Sequence, residues 1–355
     1  MKNYLYALVT DQRNDFFAQI LKLFLFLLSL FYGLIIRVLA FFYSLNPYRA
    51  PCKVISVGNI TVGGTGKTTL VESIVRFLDK RRGMLTVISR GYKRCATVPG
   101  PQDIGSMGDE PDMLRNNLGG IPILANKDRV KAIKFAVNSF KADTVILDDA
   151  MQQWRISKDL EIVTIDSGNP FGNKHMLPRG ILREPMSALK RADIFVLTKT
   201  NLNSGISQIK ELLNKINPNA LIIESMHLPR DFYNLSDSVI NFRSLEELRG
   251  KSVILFSGIA DPKSFSDLVK SLGVNIISSL VFPDHYNYSK SDISDILKCA
   301  RSNNVDAIIT TQKDAARLKE FKDTMLKPQI IILCIELELK DEQRLFNRLL
   351  RIYSA

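Results

Sequence analysis

Lys53-Val-Ile-Ser-Val-Gly58-Asn-Ile-Thr61-Val62-Gly63-Gly64-Thr65-Gly66-Lys67-Thr68-Thr69 is the stretch on which the reading turns. Its first five residues have the character of a short buried strand. Beyond Thr69, the apolar Leu70, Val71, Ile74, Val75, Phe77 and Leu78 recur at helical spacing, and Gly83 follows the basic Lys80, Arg81 and Arg82 as a stop signal. Strand, glycine loop and helix in that order form the setting of a P-loop. Gly63, Gly64 and Gly66 let backbone amides curl around an anion, Lys67 can reach the outer phosphates, and the Thr68 hydroxyl can ligate magnesium. Thr61, Val62, Thr65 and Thr69 complete the loop expected to hold the nucleotide. Thr61 stands where the usual pattern G-x-x-x-x-G-K-S/T begins with glycine, so glycine-only torsions are denied to that corner. A glycine-rich turn can be mere geometry, but Gly66-Lys67-Thr68 in this register after a strand argues for bound phosphates. It leaves the phosphoryl acceptor open.

Working outward, Thr144-Val-Ile-Leu-Asp148-Asp149 is an apolar run ending in two acids. Asp148 is the candidate magnesium ligand, directly or through water, and Asp149 a candidate for the same metal site or its surroundings. Asp149 could equally just start the next turn. Further strands are expected at 85–89, 121–125, 162–165 and 194–198, with helices between them. This predicts an α/β fold, a P-loop NTPase-like parallel sheet whose functional loops lie at the carboxyl ends of the strands. A second, smaller α/β unit is expected to start near residue 244, with strands at 253–256, 275–278, 307–310 and 330–335. The expected divisions are 1–46 for a membrane anchor, 47–220 for the nucleotide-binding domain, 221–243 for a linker and 244–355 for the C-terminal domain.

The chain has 355 residues, 48 Lys and Arg against 36 Asp and Glu, and a net charge of +12, which favours anionic partners such as nucleotides, phosphorylated substrates or acidic headgroups. Without a long basic run, an aromatic RNA-binding motif or zinc-finger spacing, nucleic acid is not expected as a partner. Cys52, Cys95, Cys299 and Cys334 are too scattered for a zinc site or a disulfide framework. From Phe16 to Leu45 the sequence is almost wholly apolar, with only Lys22 and Arg37 charged. It is long enough for a membrane helix and lacks the small-residue cleavage site of a signal peptide, so a retained anchor is expected. Whether it crosses the bilayer or lies along one leaflet is open at this stage.

Other constellations are Ser89-Arg90-Gly-Tyr92, Gly108-Asp109-Glu-Pro111, Leu182-Arg183-Glu-Pro185, Asp284-His285 and Thr311-Gln312-Lys-Asp314. By residue chemistry alone, Asp109 reads equally as a helix cap, His285 as a packed histidine, and Arg90, Arg179 and Arg183 as surface charges. Their order along the chain changes this, because together with the glycine loop and the acid pair they resemble the tetraacyldisaccharide 4'-kinase family. The resemblance runs from the N-terminal apolar segment almost to the C-terminus. It implies an ATP- and Mg2+-dependent kinase that moves the γ-phosphoryl of ATP to the 4'-hydroxyl of a tetraacyldisaccharide 1-phosphate, forming the lipid A precursor lipid IVA. It also implies work at the bacterial inner membrane with the catalytic domains facing the cytoplasm, a glycolipid substrate, and no obligate protein partner.

By the same resemblance, Asp109 is the base for the 4'-hydroxyl and His285 its partner. Lys67 screens the transferring phosphoryl group, while Arg90, Tyr92, Arg179 and Arg183 are candidates for substrate contacts. Since Asp109 and His285 are far apart in sequence, two lobes must meet over the nucleotide. Thr69, Lys93, Ala150 and Gln312 depart from the family's usual residues, though none removes an expected phosphate or metal ligand. The alternative from another class is a membrane-associated regulatory or partitioning P-loop ATPase. Against it, Val62 stands where those proteins carry an extra lysine.

Overall fold

The computed structural model describes residues 8, 11, 13, 15–81, 83–90, 109–203, 205–237, 241–321 and 327–354. Asp15 caps the first helix, α1 (Phe16–Leu45), by accepting the amide of Ala18. The phosphate loop joins β1 (Lys53–Gly58) to α2 (Lys67–Asp79). Then come β2 (Leu85–Ser89), α3 (Asp109–Asn117), β3 (Ile123–Ala125), α4 (Arg129–Phe140), β4 (Thr144–Asp148), β5 (Leu160–Asp166), β6 (Ile194–Thr198) and α5 (Ile206–Ile216). The second half holds β7 (Leu221–Asn234), β8 (Ser252–Ser257), α6 (Pro262–Lys270), β9 (Asn275–Val281), α7 (Lys290–Ser302), β10 (Ala307–Thr311), the single turn α8 (Gln312–Ala315), β11 (Gln329–Leu339) and α9 (Glu342–Arg351).

The strands form one sheet in the order β3-β2-β4-β1-β5-β6-β7-β11-β10-β8-β9. All neighbours are parallel except β7 and β11. Both faces of β1, β2, β4 and β6 are covered by helices, so these strands are apolar and buried almost throughout. Because β4 lies directly beside β1, with Val57 opposite Asp148, the acid pair and the phosphate loop leave the sheet side by side.

The segment 221–243, expected as a linker, is largely strand. Residues Leu221 to Glu224 of β7 pair with β6 and finish the first half of the sheet, whereas Ser225 to Asn234 pair with β11. Since β11 is antiparallel to β7, the strands of the second half run opposite to those of the first. Their carboxyl-end loops therefore face the phosphate loop. A bulge between Cys334 and Ile335, opposite the Pro229-Arg230 step, bends this shared strand.

The last helix departs from the expected boundary as well. On α9, Leu345, Phe346 and Leu349 join the core formed by α2 and β1, with the Phe346 ring stacked on Phe77 at 3.6 Å. Such a pair adds about 1 kcal/mol beyond the apolar area it buries. The chain's end thus clamps the nucleotide-binding half after completing the other.

Candidate active site

The loop geometry follows from a few backbone requirements. Gly63 and Gly66 have φ of 120° and 77°, and a Cβ on Gly66 would come within 2.8 Å of the His227 ring. Thr61 needs no glycine torsion because it forms an antiparallel bridge with Leu182. The Val62 amide donates to Ile181 O (2.8 Å), and the Arg183 amide donates to Ile60 O (2.6 Å). One edge of the phosphate loop is therefore zipped to the segment 181–183. At the other side the Thr65 and Thr164 hydroxyls lie 2.7 Å apart, and Thr198 Oγ1 donates to Thr65 O. Gly64 approaches Ala260 of the second half, 3.8 Å from where its Cβ would stand.

Lys67 Nζ lies 3.3 Å from Asn59 Oδ1 and 3.5 Å from Asp149 Oδ1. Arg183 forks the same Asp149 carboxylate at 2.9 and 3.1 Å, and donates to the Asn59 carbonyl and side-chain oxygens. Although burial opposes it, these two cations hold the Asp149 carboxyl well below the usual carboxylate range. Asp149 is thus the charge partner of Lys67 and Arg183.

Its neighbour Asp148 sits in the opposite environment. Fully buried, its carboxylate receives, among the described residues, only a long contact from Ser89 Oγ (3.4 Å), and its Oδ1 has no hydrogen-bond partner there. Burial, and then the negative charge of Glu110, push its carboxyl up to about 7. A divalent cation is the group that such an orphaned oxygen fits, and Thr68 and Asp148 are the residues that would hold magnesium. Among the described residues no cluster of three or more His, Cys, Asp or Glu surrounds the position. That suits magnesium, which keeps waters and phosphate oxygens in its shell and needs few protein ligands.

The acceptor side draws on both halves. Asp109 opens α3, and its side chain lies outside the described residues, as do Tyr92, Lys93 and Cys95. The next residue, Glu110, pairs with Lys313 of α8 at 2.8 Å, which holds its carboxyl below the usual range; Lys67 and His285 add to the effect. His285, in a left-handed conformation with φ of 59°, donates its amide to Gly258 O, and its Nδ1 lies 3.5 Å from Arg317. The loop is secured by Asp314. This fully buried carboxylate accepts from Thr311 Oγ1 (2.7 Å), Tyr288 Oη (2.9 Å), the Gly258 amide (3.0 Å) and Arg317 (3.2 Å). Gln312 and Lys313 are carried between Thr311 and Asp314, so the departure at Gln312 leaves this hub intact.

The remaining candidates divide. Arg90 is exposed at the end of β2. Arg179 is paired with Asp11 at 2.6 Å, apart from the Asp149 carboxylate that Arg183 grips. Four residues not singled out from the sequence matter here. Arg129, buried on α4, donates to the carbonyls of Ser89, Asn126 and Asp148, holding the ends of β2 and β4 together. Asn59 links Lys67 to Arg183. Lys199 bridges Asp166 in one half and Asp261 in the other, both at 2.5 Å. His227 of β7 lies 3.4 Å from Thr69 Oγ1, against the back of the loop. None belongs to a local pattern that sequence spacing could reveal.

With this geometry in view, comparison with known proteins is direct. A family model described as tetraacyldisaccharide-1-P 4'-kinase matches residues 21–354. The chain belongs to this family. It is 35% identical to the tetraacyldisaccharide 4'-kinase of Halothermothrix orenii, over 96% of this chain and 95% of that relative. It is 37% identical to that of Syntrophotalea carbinolica, over 83% and 84% of the two chains. LpxK from Aquifex aeolicus, solved in complex with ATP, matches with a TM-score of 0.70 at 25% identity, covering 94% of this chain and 99% of that one. Family membership leaves the regulatory or partitioning ATPase without support.

Proposed function

We propose that this family member is the kinase that transfers the γ-phosphoryl of ATP to the 4'-hydroxyl of tetraacyldisaccharide 1-phosphate, giving lipid IVA. The observation that carries the mechanism is the pairing of Glu110 with Lys313, which joins the helix opening at Asp109 to the half that carries His285, beside Lys67. Asp109 takes the proton of the sugar hydroxyl as the new O–P bond forms and the γ-phosphorus parts from the β,γ-bridging oxygen, releasing ADP, and His285 orients that carboxylate and tunes its basicity. Lys67 balances charge on the phosphoryl oxygens. Thr68 and Asp148 would hold magnesium, which would supply further charge neutralisation. Arg183 is released toward an anionic group, substrate or nucleotide, when a phosphate competes with Asp149. Closure of the two halves about the segment 221–243 excludes water from the transfer.

We infer a site at the inner membrane, facing the cytoplasm; the exposed apolar helix supports contact with a membrane. One stripe of α1 packs on the protein: Ala18, Ser29 and Gly33 are buried, and Tyr32 and Ile36 join the core cluster that contains Ile60, Met176 and Leu182. The other faces expose Phe16, Phe17, Leu23, Phe24, Leu27, Phe31, Leu34 and Phe42. A helix pinned along its length to a globular domain is better suited to lie in one leaflet than to cross the bilayer. Acyl chains then stay in lipid, avoiding about 0.8 kcal/mol per methylene that would otherwise meet water. The deciding experiment incubates the solubilised full chain with γ-labelled ATP and tetraacyldisaccharide 1-phosphate. Label should appear in the lipid phase; label released only as inorganic phosphate would sink the reading.

A further inference from the structure

The membrane helix does more than lie beside the catalytic half. Its buried stripe is seated on the segment 175–183: the Phe26 ring meets the His175 ring at 5.4 Å, and a Cβ on Gly33 would lie 3.1 Å from Met176 Sδ. From this helix the Tyr32 hydroxyl donates to the Arg183 carbonyl at 3.1 Å. The same residue's amide is bonded to Ile60 O, its guanidinium grips Asn59 and Asp149, and its neighbours are zipped to Thr61 and Val62. Asn59 in turn holds Lys67. A continuous series of hydrogen bonds therefore runs from a lipid-facing helix to the phosphate-binding lysine, through one residue that is fastened at its carbonyl, its amide and its side chain.

We infer that Tyr32 is a positioning residue, which sets the main chain at Arg183 and thereby the shape of the phosphate loop, so that seating of the membrane helix controls nucleotide affinity. The proposal builds on the kinase reading above, but its primary test needs no glycolipid. Arg183 has long rotatable side-chain bonds, and its pairing with Asp149 and Asn59 keeps its geometry only if the main chain at 183 is held. The inner edge of the loop, Ile60 to Val62, has its bonding partners on the same short segment. Losing the tether at the carbonyl loosens both attachments together. Because the coupling is a free energy, it also acts in reverse: nucleotide on the loop tightens the seating of the helix.

The test uses the full chain in detergent micelles and titrates MgATP calorimetrically into wild type, Tyr32→Phe and a control, Tyr43→Phe. Tyr43 lies on the same helix with its ring near Arg155, away from the segment 175–183. Tyr32→Phe keeps the packed ring and removes one neutral hydrogen bond, so MgATP should bind about fivefold more weakly at unchanged stoichiometry. Tyr43→Phe should bind as wild type does. A purely structural role for Tyr32 would lower the stoichiometry, through loss of folded protein, and leave the dissociation constant alone. In an Arg183→Gln background the Tyr32→Phe change should cost less than the full fivefold, since the side-chain route through Asp149 and Asn59 is already gone and only the main-chain route to Ile60–Val62 remains. An unchanged dissociation constant in Tyr32→Phe, or a full fivefold loss in the Arg183→Gln background, overturns the inference. Should wild type bind MgATP, show the Tyr32 effect and yet phosphorylate no glycolipid, the coupling stands and the kinase reading falls.

Discussion

The floor of the cleft, Gly58 to Thr69, takes its shape from its own glycines, the adjoining strands and the segment 181–183, whereas the opposite loop, Gly258 with Asp284 and His285, is assembled around the Asp314 carboxylate. On the floor, charge is shared openly among Lys67, Asp149 and Arg183, all partly accessible. Across the cleft, a fully buried Asp314 gathers donors from five residues, Gly258, Tyr288, Thr310, Thr311 and Arg317. The ion pairs of the floor, partly open to solvent, are the ones a bound anion can compete for. The opposite loop is built to keep one geometry, because breaking a buried and satisfied network leaves uncompensated charge.

If this contrast is right, substitutions on the two sides separate nucleotide binding from transfer. Asp109→Asn should lower the transfer rate about 1000-fold, the scale of a lost general base, with MgATP affinity nearly intact; single-turnover kinetics beside calorimetry would expose a base located elsewhere by showing full transfer. Lys67→Ala should cost about 100-fold in kcat/KM and weaken MgATP binding as well, since the ammonium serves bound and transferring phosphate alike. A variant that loses turnover alone would erase the contrast between floor and opposite loop.

Asp314→Ala should destabilise the protein by about 3 kcal/mol, because Arg317 and several donors lose their shared acceptor in the interior. Urea unfolding would measure it, and a cost near zero would mean that the hub does not hold the loop. The smallest effect concerns His227. Burial, then Lys199, hold its imidazole down at about 4, below its ordinary 6.5, with Asp261 opposing and Lys313 assisting. As pH falls from 6.5 toward 4, the unfolded chain takes up this proton and the native one does not, so stability declines over that window and then levels. His227→Gln should flatten the slope of melting temperature against pH between those values, and an unaltered slope would place the titrating group elsewhere.

Much of this was legible beforehand. Strands were expected at 53–57, 85–89, 144–148 and 194–198, and β1, β2, β4 and β6 lie there, because runs of Val, Ile and Leu between turn residues carry a strong local signal. The segment 221–243 was harder. Pro229-Arg230 suggested a turn, yet the bulge opposite Cys334 absorbs the irregularity within one long strand. Nor did local pattern reveal that α9 returns to Phe77, since its apolar stripe fits any core. Arg129, Lys199 and His227 carry no signal in the sequence, because a lone cation or imidazole looks the same there whether it faces water or a carbonyl.

By itself, the sequence determined where the glycine loop joins a strand to a helix, which strand ends in the acid pair, and that an apolar helix precedes both. These follow from torsions and periodicities that residues carry with them wherever they are placed. Only the tertiary structure decided that β7 serves both halves and so turns the second to face the first. It likewise decided that Asp149 forms direct ion pairs with two cations while the Asp148 carboxylate forms none among the described residues, and that Tyr32 meets Arg183. Such pairings depend on sheet order and on which helix covers which face, and they are properties of the assembled chain because Coulomb and hydrogen-bond energies act across space, at distances that sequence separation does not encode.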